Sequence, residues 1–128
     1  MTSIMTSTHH DASIVRLRDA INGHDPAAVA ACFTEDYRTE VPLHPSQGFT
    51  GNQKVRENWT AILARTPDLH ADVLRSTSDG AETWSEWEMR GTATDGAATL
   101  IRGVVISGAA DGRIAWTRFF LDPVFEAS

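Results

Sequence analysis

An α+β fold, with helices first and an antiparallel sheet after them, is what this sequence predicts, and two patterns carry the prediction. Apolar residues recur at spacings of three and four as far as about residue 65, and at period two beyond it. The period-two region is punctuated by Asp79-Gly80, Asp95-Gly96 and Asp111-Gly112, and Asp-Gly pairs between alternating segments mark hairpin turns of a meander. Helices grouped ahead of strands argue against a βαβ alternation. The chain has 128 residues, 41% hydrophobic and 22% charged, which suits a single domain. Residues 1–12 read as a frayed N-terminus and 13–128 as the domain.

Each element has a local reason. Ile14, Leu17 and Ile21 lay one apolar stripe along a helix from Ser13 to Asn22, which Gly23 ends. Asp25 followed by Pro26 supplies an N-cap and a first-turn proline for a short helix running to about Phe33. Tyr37 to Val41 reads as a short strand, and Pro42, Pro45 and Gly48 make the next stretch a loop at the mouth of the fold. Asn52 or Thr50 is placed to cap a third helix ending near Arg65, with Val55, Trp59, Ile62 and Leu63 on its apolar face. Strands follow at about 69–77, 82–92, 97–108 and 113–122.

Charge and composition exclude several function classes. Eleven Lys and Arg against seventeen Asp and Glu leave a formal charge of -6, which repels phosphate backbones and anionic lipid, so neither nucleic acid nor a membrane is expected as a partner. The opening residues contain neither a basic segment nor an apolar one of signal-peptide type, and no apolar run reaches the length of a membrane span. Cys32 stands alone, so disulfides and cysteine-held metals are not expected, and a cytoplasmic setting is. His9 and His10 lack partners at ligand spacing. No metal or other cofactor is expected, and no glycine-rich phosphate cradle or nucleophile elbow occurs.

Charge placement also selects the inner face of each strand, because an unpaired buried charge costs several kcal/mol. Ser85, Trp87 and Met89 should face the helices, with Thr99, Ile101, Gly103 and Val105 beside them and Ala115, Thr117, Phe119 and Leu121 on the last strand. The opposite face then receives Trp84, Leu100, Val104, Ile106, Ile114, Trp116 and Phe120 among Glu86, Glu88, Arg102 and Arg118. So much apolar surface calls for a cover, and a homodimer formed sheet to sheet is the expectation.

Short motifs then add a family. Asn22-Gly23-His24-Asp25-Pro26, Phe33-Thr34-Glu35-Asp36-Tyr37, Gly51-Asn52-Gln53-Lys54-Val55, the strand ending Arg90-Gly91-Thr92, Arg102-Gly103, and Asp111-Gly112-Arg113-Ile114 through Arg118-Phe119-Phe120-Leu121-Asp122-Pro123 occur in order over residues 13–123. In that order they resemble the SnoaL-like branch of the nuclear transport factor 2-like superfamily. The resemblance implies a cone: three N-terminal helices packed on a strongly curved, mostly antiparallel sheet, around an internal pocket for a small apolar or aromatic molecule. The fold hosts polyketide cyclases, ketosteroid isomerase-like proteins, limonene epoxide hydrolase-like enzymes and non-catalytic members, so the site must decide the function.

Matching the family's acidic position on the final strand places it at Phe119, which cannot transfer a proton. The Arg and Asp of the epoxide hydrolases likewise fall on Trp87 and Met89. Among the remaining polar residues Glu40 and His44 are candidates for a shared proton at the entrance, although alternation points Tyr37, Thr39 and Val41 inward and Glu40 away. Tyr37 is a candidate donor to a ligand carbonyl. The ligand-binding set is Trp59, Leu63, Trp87, Met89, Ile101, Thr117, Phe119 and Leu121. Two readings stand: a cofactor-free cyclase, isomerase or hydrolase acting through Glu40, His44 and Tyr37, and a non-catalytic ligand-binding or dimerisation module.

Overall fold

The computed structural model describes residues 10–125. Helix α1 spans Ala12–Asn22, α2 Pro26–Ala31 and α3 Asn52–Arg65; the strands are β1 Phe33–Glu40, β2 Phe49–Thr50, β3 His70–Asp79, β4 Glu82–Thr92, β5 Ala98–Ala110 and β6 Arg113–Pro123. They form one sheet in the order β2-β1-β6-β5-β4-β3, antiparallel throughout except for the parallel pairing of β1 with β6. This is the α+β, three-helix, mostly antiparallel architecture expected. No helix among the described residues is long and apolar enough to cross a membrane.

The helix starts follow side-chain chemistry. Asp11 accepts from the Ser13 N–H at 2.9 Å and so caps α1, which brings residues 11 and 12 into the ordered domain; the first nine positions of the expected frayed terminus lie outside the described residues. Asp25 accepts from the N–H groups of Ala27 and Ala28, and Pro26 occupies the first turn of α2. This helix ends two residues before the expected Phe33. The Cys32 carbonyl accepts from Ile114 N–H at 2.8 Å and Phe33 pairs with Ile114, so β6 draws the chain into the sheet there. Helix α3 is capped differently from expectation. Gly51, at φ +99°, takes the N-cap position with no side-chain hydrogen bond, while its N–H donates to Tyr37 O at 2.6 Å. The Asn52 amide instead donates to Phe33 O.

The core lies between the helices and one sheet face, built on Ile14, Ile21, Val29, Leu69, Trp87 and Ile114, each almost without exposure. Inner-face rows run across three strands, Trp87–Gly103–Leu121 and Ser85–Val105–Phe119. Gly103 has no side chain to fill the first row, and a Cβ there would lie 1.9 Å from Phe120 O. The sequence reading put Ile114 on the outer face, and this is corrected: Ile114 is 1% exposed and inside. A bulge between Gly108 and Ala109 pairs Gly108 with Trp116 but Ala109 with Ile114, so parity on β6 reverses below it. From Thr117 onward the odd-numbered residues point inward as expected.

On the outer face Glu88 is 8% exposed, clamped by Arg90 and by Arg102, whose Nε donates to it at 2.7 Å. Trp84 remains 46% exposed, and Leu100, Val104, Trp116 and Phe120 are half-buried.

Candidate functional site

The concave side of the sheet, α1 and α3 surround a cavity of about 590 Å³. Sheet residues Trp87, Met89, Val105, Phe119 and Leu121 form its floor, and Val55, Trp59 and Ile62 of α3 close it from above. The spacing of those α3 residues explains their common orientation, since positions three and four apart share one helix face. Of the ligand-binding set read from the sequence, Trp59, Trp87, Met89, Thr117, Phe119 and Leu121 line the cavity. Two do not. Leu63, adjacent in sequence to Ile62, is turned about 100° around the helix and packs in the core. Ile101 pairs with Met89 and Pro123 and packs against the core from the rim without reaching the lining.

The polar interior is centred on three bonded hydroxyls, with buried Ser107 lining the cavity beside them on β5, opposite Thr117. Tyr37 Oη lies 2.7 Å from Thr117 Oγ1, and Thr39 Oγ1 lies 2.6 Å from the same atom. The parallel pairing of Thr39 with Thr117 sets the second contact, and β-alternation on β1 brings Tyr37 to the same face two residues earlier. All three residues are buried and all three line the cavity. Burial pushes the Tyr37 hydroxyl above the ordinary tyrosine range, the bonds to Thr117 and Thr39 pulling weakly the other way, so the ring stays neutral. Phe33 and Phe49 pack edge or tilted against the Tyr37 ring and fix its position.

Glu40 and His44 are not brought together. Glu40 points to the outer side and accepts from Arg118 at 2.7 Å, while His44 is held 3.1 Å from Asp122, and neither lines the main cavity. The expectation of a proton shared between them is therefore corrected: alternation turned Glu40 away from Tyr37 and Thr39, and each group has an exposed partner of its own. His24 bonds Leu69 O, and His70 sits exposed beside Asp72. Among the described residues no cluster of three or more His, Cys, Asp and Glu converges to hold a metal. No Asp, Glu or His among the described residues is part of the lining.

Sequence reading passed over Ser107 and the rim residues Lys54, Asn58 and Arg65, all of which line the cavity. Lys54 and Asn58 precede Val55 and Trp59 by one residue, so the helical period that revealed the apolar stripe also placed them at its edge.

A single α+β layer pair wrapped around an apolar hollow defines a cone-fold protein of the nuclear transport factor 2-like kind. The family model for the SnoaL-like domain matches residues 14–117. The chain belongs to that family. Solved structures agree on the fold. An LEH-like epoxide hydrolase from M. tuberculosis is similar at a TM-score of 0.72 and 17% identity, over 86% of this chain and 80% of that one. A proposed SnoaL-like polyketide cyclase from Jannaschia sp. CCS1 is similar at 0.70 and 19%, over 86% and 83%. A nuclear transport factor 2-like protein from Cytophaga hutchinsonii is similar at 0.64 and 11%, over 90% and 93%. No curated protein matches the sequence significantly.

Proposed function

We propose that this protein binds a small, mainly apolar molecule of aromatic character inside the cavity and holds it by a neutral hydrogen bond, without acid–base chemistry of its own. The observation that carries the proposal is the lining: apolar walls with two tryptophans, three bonded hydroxyls beside Ser107, and, among the described residues, no carboxylate or imidazole. A general base must lie within hydrogen-bond reach of the proton it removes and must ionise near the working pH. Glu40 and His44 are held elsewhere, and Tyr37 is neutral. The volume falls within the range of small-molecule sites, roughly 300–1,000 Å³.

Counting hydrogens defines the bond on offer. Within the Tyr37–Thr117–Thr39 cluster three hydroxyls carry three hydrogens, and the two contacts among them use two. One hydrogen is left over, and a ligand oxygen such as a ketone is the acceptor that matches it. Catalysis of the cyclase, isomerase or hydrolase kind is the competing reading. Quenching of tryptophan fluorescence by 2-acetonaphthone, followed by mass spectrometry of the recovered ligand and of representative epoxides and enones, tests both. Saturable binding with each ligand recovered unchanged is expected; conversion faster than the buffer control would overturn the non-catalytic reading, and absence of binding would overturn the whole.

The outer face extends the proposal to assembly and setting. Exposed Trp84 beside half-buried Leu100, Val104, Trp116 and Phe120 supports a sheet-to-sheet homodimer, with Arg90 and Arg102 available at its rim. Sedimentation giving a dimer mass is the expected result, and a monomer at micromolar concentration would refute it. The lone cysteine, buried at position 32, supports a cytoplasmic setting.

A further inference from the structure

The charges around the cavity run against those of the protein. The chain carries a formal charge of -6, yet among the described residues the ionic side chains of the lining are Lys54 and Arg65 alone, both exposed cations on α3. Five of the other nine arginines, Arg18, Arg75, Arg90, Arg102 and Arg118, meet a carboxylate, and none of the nine lines the cavity. Among the described residues no carboxylate lies within ion-pair distance of Arg65, whereas Lys54 has Glu57 at 3.8 Å. An acidic protein that keeps carboxylates out of one cavity and leaves a guanidinium at its edge has a local field suited to anions.

We infer that the ligand carries a negative charge, and that Arg65 is the residue that meets it at the α3 rim while the neutral acceptor of the same molecule bonds the Tyr37–Thr117–Thr39 hydroxyls. This rests on the binding role proposed above and narrows it to one class, an elongated aromatic or aliphatic acid. Eleven residues of helix separate Lys54 from Arg65 by roughly 16 Å, so one anionic group touches only one of them. Arg65 has no competing carboxylate, and its planar fork matches a carboxylate in two parallel hydrogen bonds. Lys54 contributes to the field from a distance and is screened by salt.

The test uses ligands alike in shape and different in charge: 6-acetyl-2-naphthoate, its neutral methyl ester, and the corresponding 2-aminomethyl cation. In low salt the carboxylate should bind about fivefold or more tightly than the ester, the scale of a partly exposed ion pair, and the cation more weakly than either. Arg65→Gln should bring the carboxylate-to-ester ratio close to one, with Lys54→Gln lowering it less. Equal affinity of acid and ester in the native protein, or a preference that survives Arg65→Gln, would overturn the inference while leaving the binding role intact. If none of the three binds, the binding role itself fails and this inference with it.

Discussion

Tyr37 on β1 and Thr117 on β6 meet hydroxyl to hydroxyl at 2.7 Å, joining two strands that are parallel neighbours and 80 residues apart in sequence. The contact places the chain's one tyrosine at the polar end of an apolar hollow. Replacing it by phenylalanine removes a hydroxyl and little else. Tyr37→Phe should cost about 1 kcal/mol of stability, the usual net worth of one buried hydrogen bond. It should also weaken 2-acetonaphthone about threefold while leaving 2-ethylnaphthalene unaffected, because the phenol is the stronger donor and the hydrogen that Thr39 and Thr117 still have to spare is that of an aliphatic hydroxyl. Paired calorimetric titrations check this, and equal losses for both ligands would show that the ring, not the hydroxyl, is what matters.

Because Tyr37 is the only tyrosine, its ionisation is directly visible as tyrosinate absorbance. Burial raises its folded pKa above the unfolded value of about 10. Folding therefore favours the protonated form. Its contribution to stability is complete below pH of about 10 and is lost as pH rises from there through the folded value. Melting temperature should fall over that alkaline window by more in the native protein than in Tyr37→Phe, and tyrosinate should appear together with unfolding. Ordinary titration near pH 10 in the folded protein would contradict the burial of this hydroxyl.

Trp87 donates its indole N–H to Ser85 Oγ at 2.9 Å, and that hydroxyl donates in turn to Val105 O. Both side chains are 1% exposed, so no solvent replaces a lost partner. Ser85→Ala should destabilise the fold by about 1–3 kcal/mol, the cost of leaving a buried donor unmet. Denaturant unfolding measures it, and a loss below about 0.5 kcal/mol would indicate that the indole finds another acceptor.

Gly103 sits between Trp87 and Leu121 across the strands, with φ +152° and a carbonyl where a side chain would begin. Since the obstacle is backbone, nothing can rotate aside. Gly103→Ala should cost about 3 kcal/mol or more and broaden the spectrum of the core, as overpacking against a fixed strand does. Gly80→Ala is the contrasting case, with open space around its Cβ and only the strain of its positive φ to oppose it. A Gly103→Ala protein as stable as Gly80→Ala would refute the close packing.

What the sequence made legible follows from which signals are local. Helix stripes such as Ile14–Leu17–Ile21, the cap at Asp25, and the strand phase of Ser85–Trp87–Met89 each depend on residues a few positions apart, and the structure places them accordingly. Long-range pairing was not legible. The β6 contact that ends α2 at Ala31, the Tyr37 carbonyl that turns Gly51 into the α3 cap, and the bulge that brings Ile114 inside all arise between distant segments. The site divides the same way. Alternation put Tyr37, Thr39 and Thr117 on inner faces, but only the strand register gathers them at one atom, and only Arg118 and Asp122 reveal why Glu40 and His44 stay apart.

The most direct test of the central claim is the crystal structure of the complex with 2-acetonaphthone. The ring system should lie between Trp59 and the Trp87–Phe119 floor, with the ketone oxygen about 2.7–3.0 Å from one of the three hydroxyls. A ligand seated on the outer face near Glu88 and Arg102, or a ketone turned away from Tyr37, Thr39 and Thr117, would contradict it.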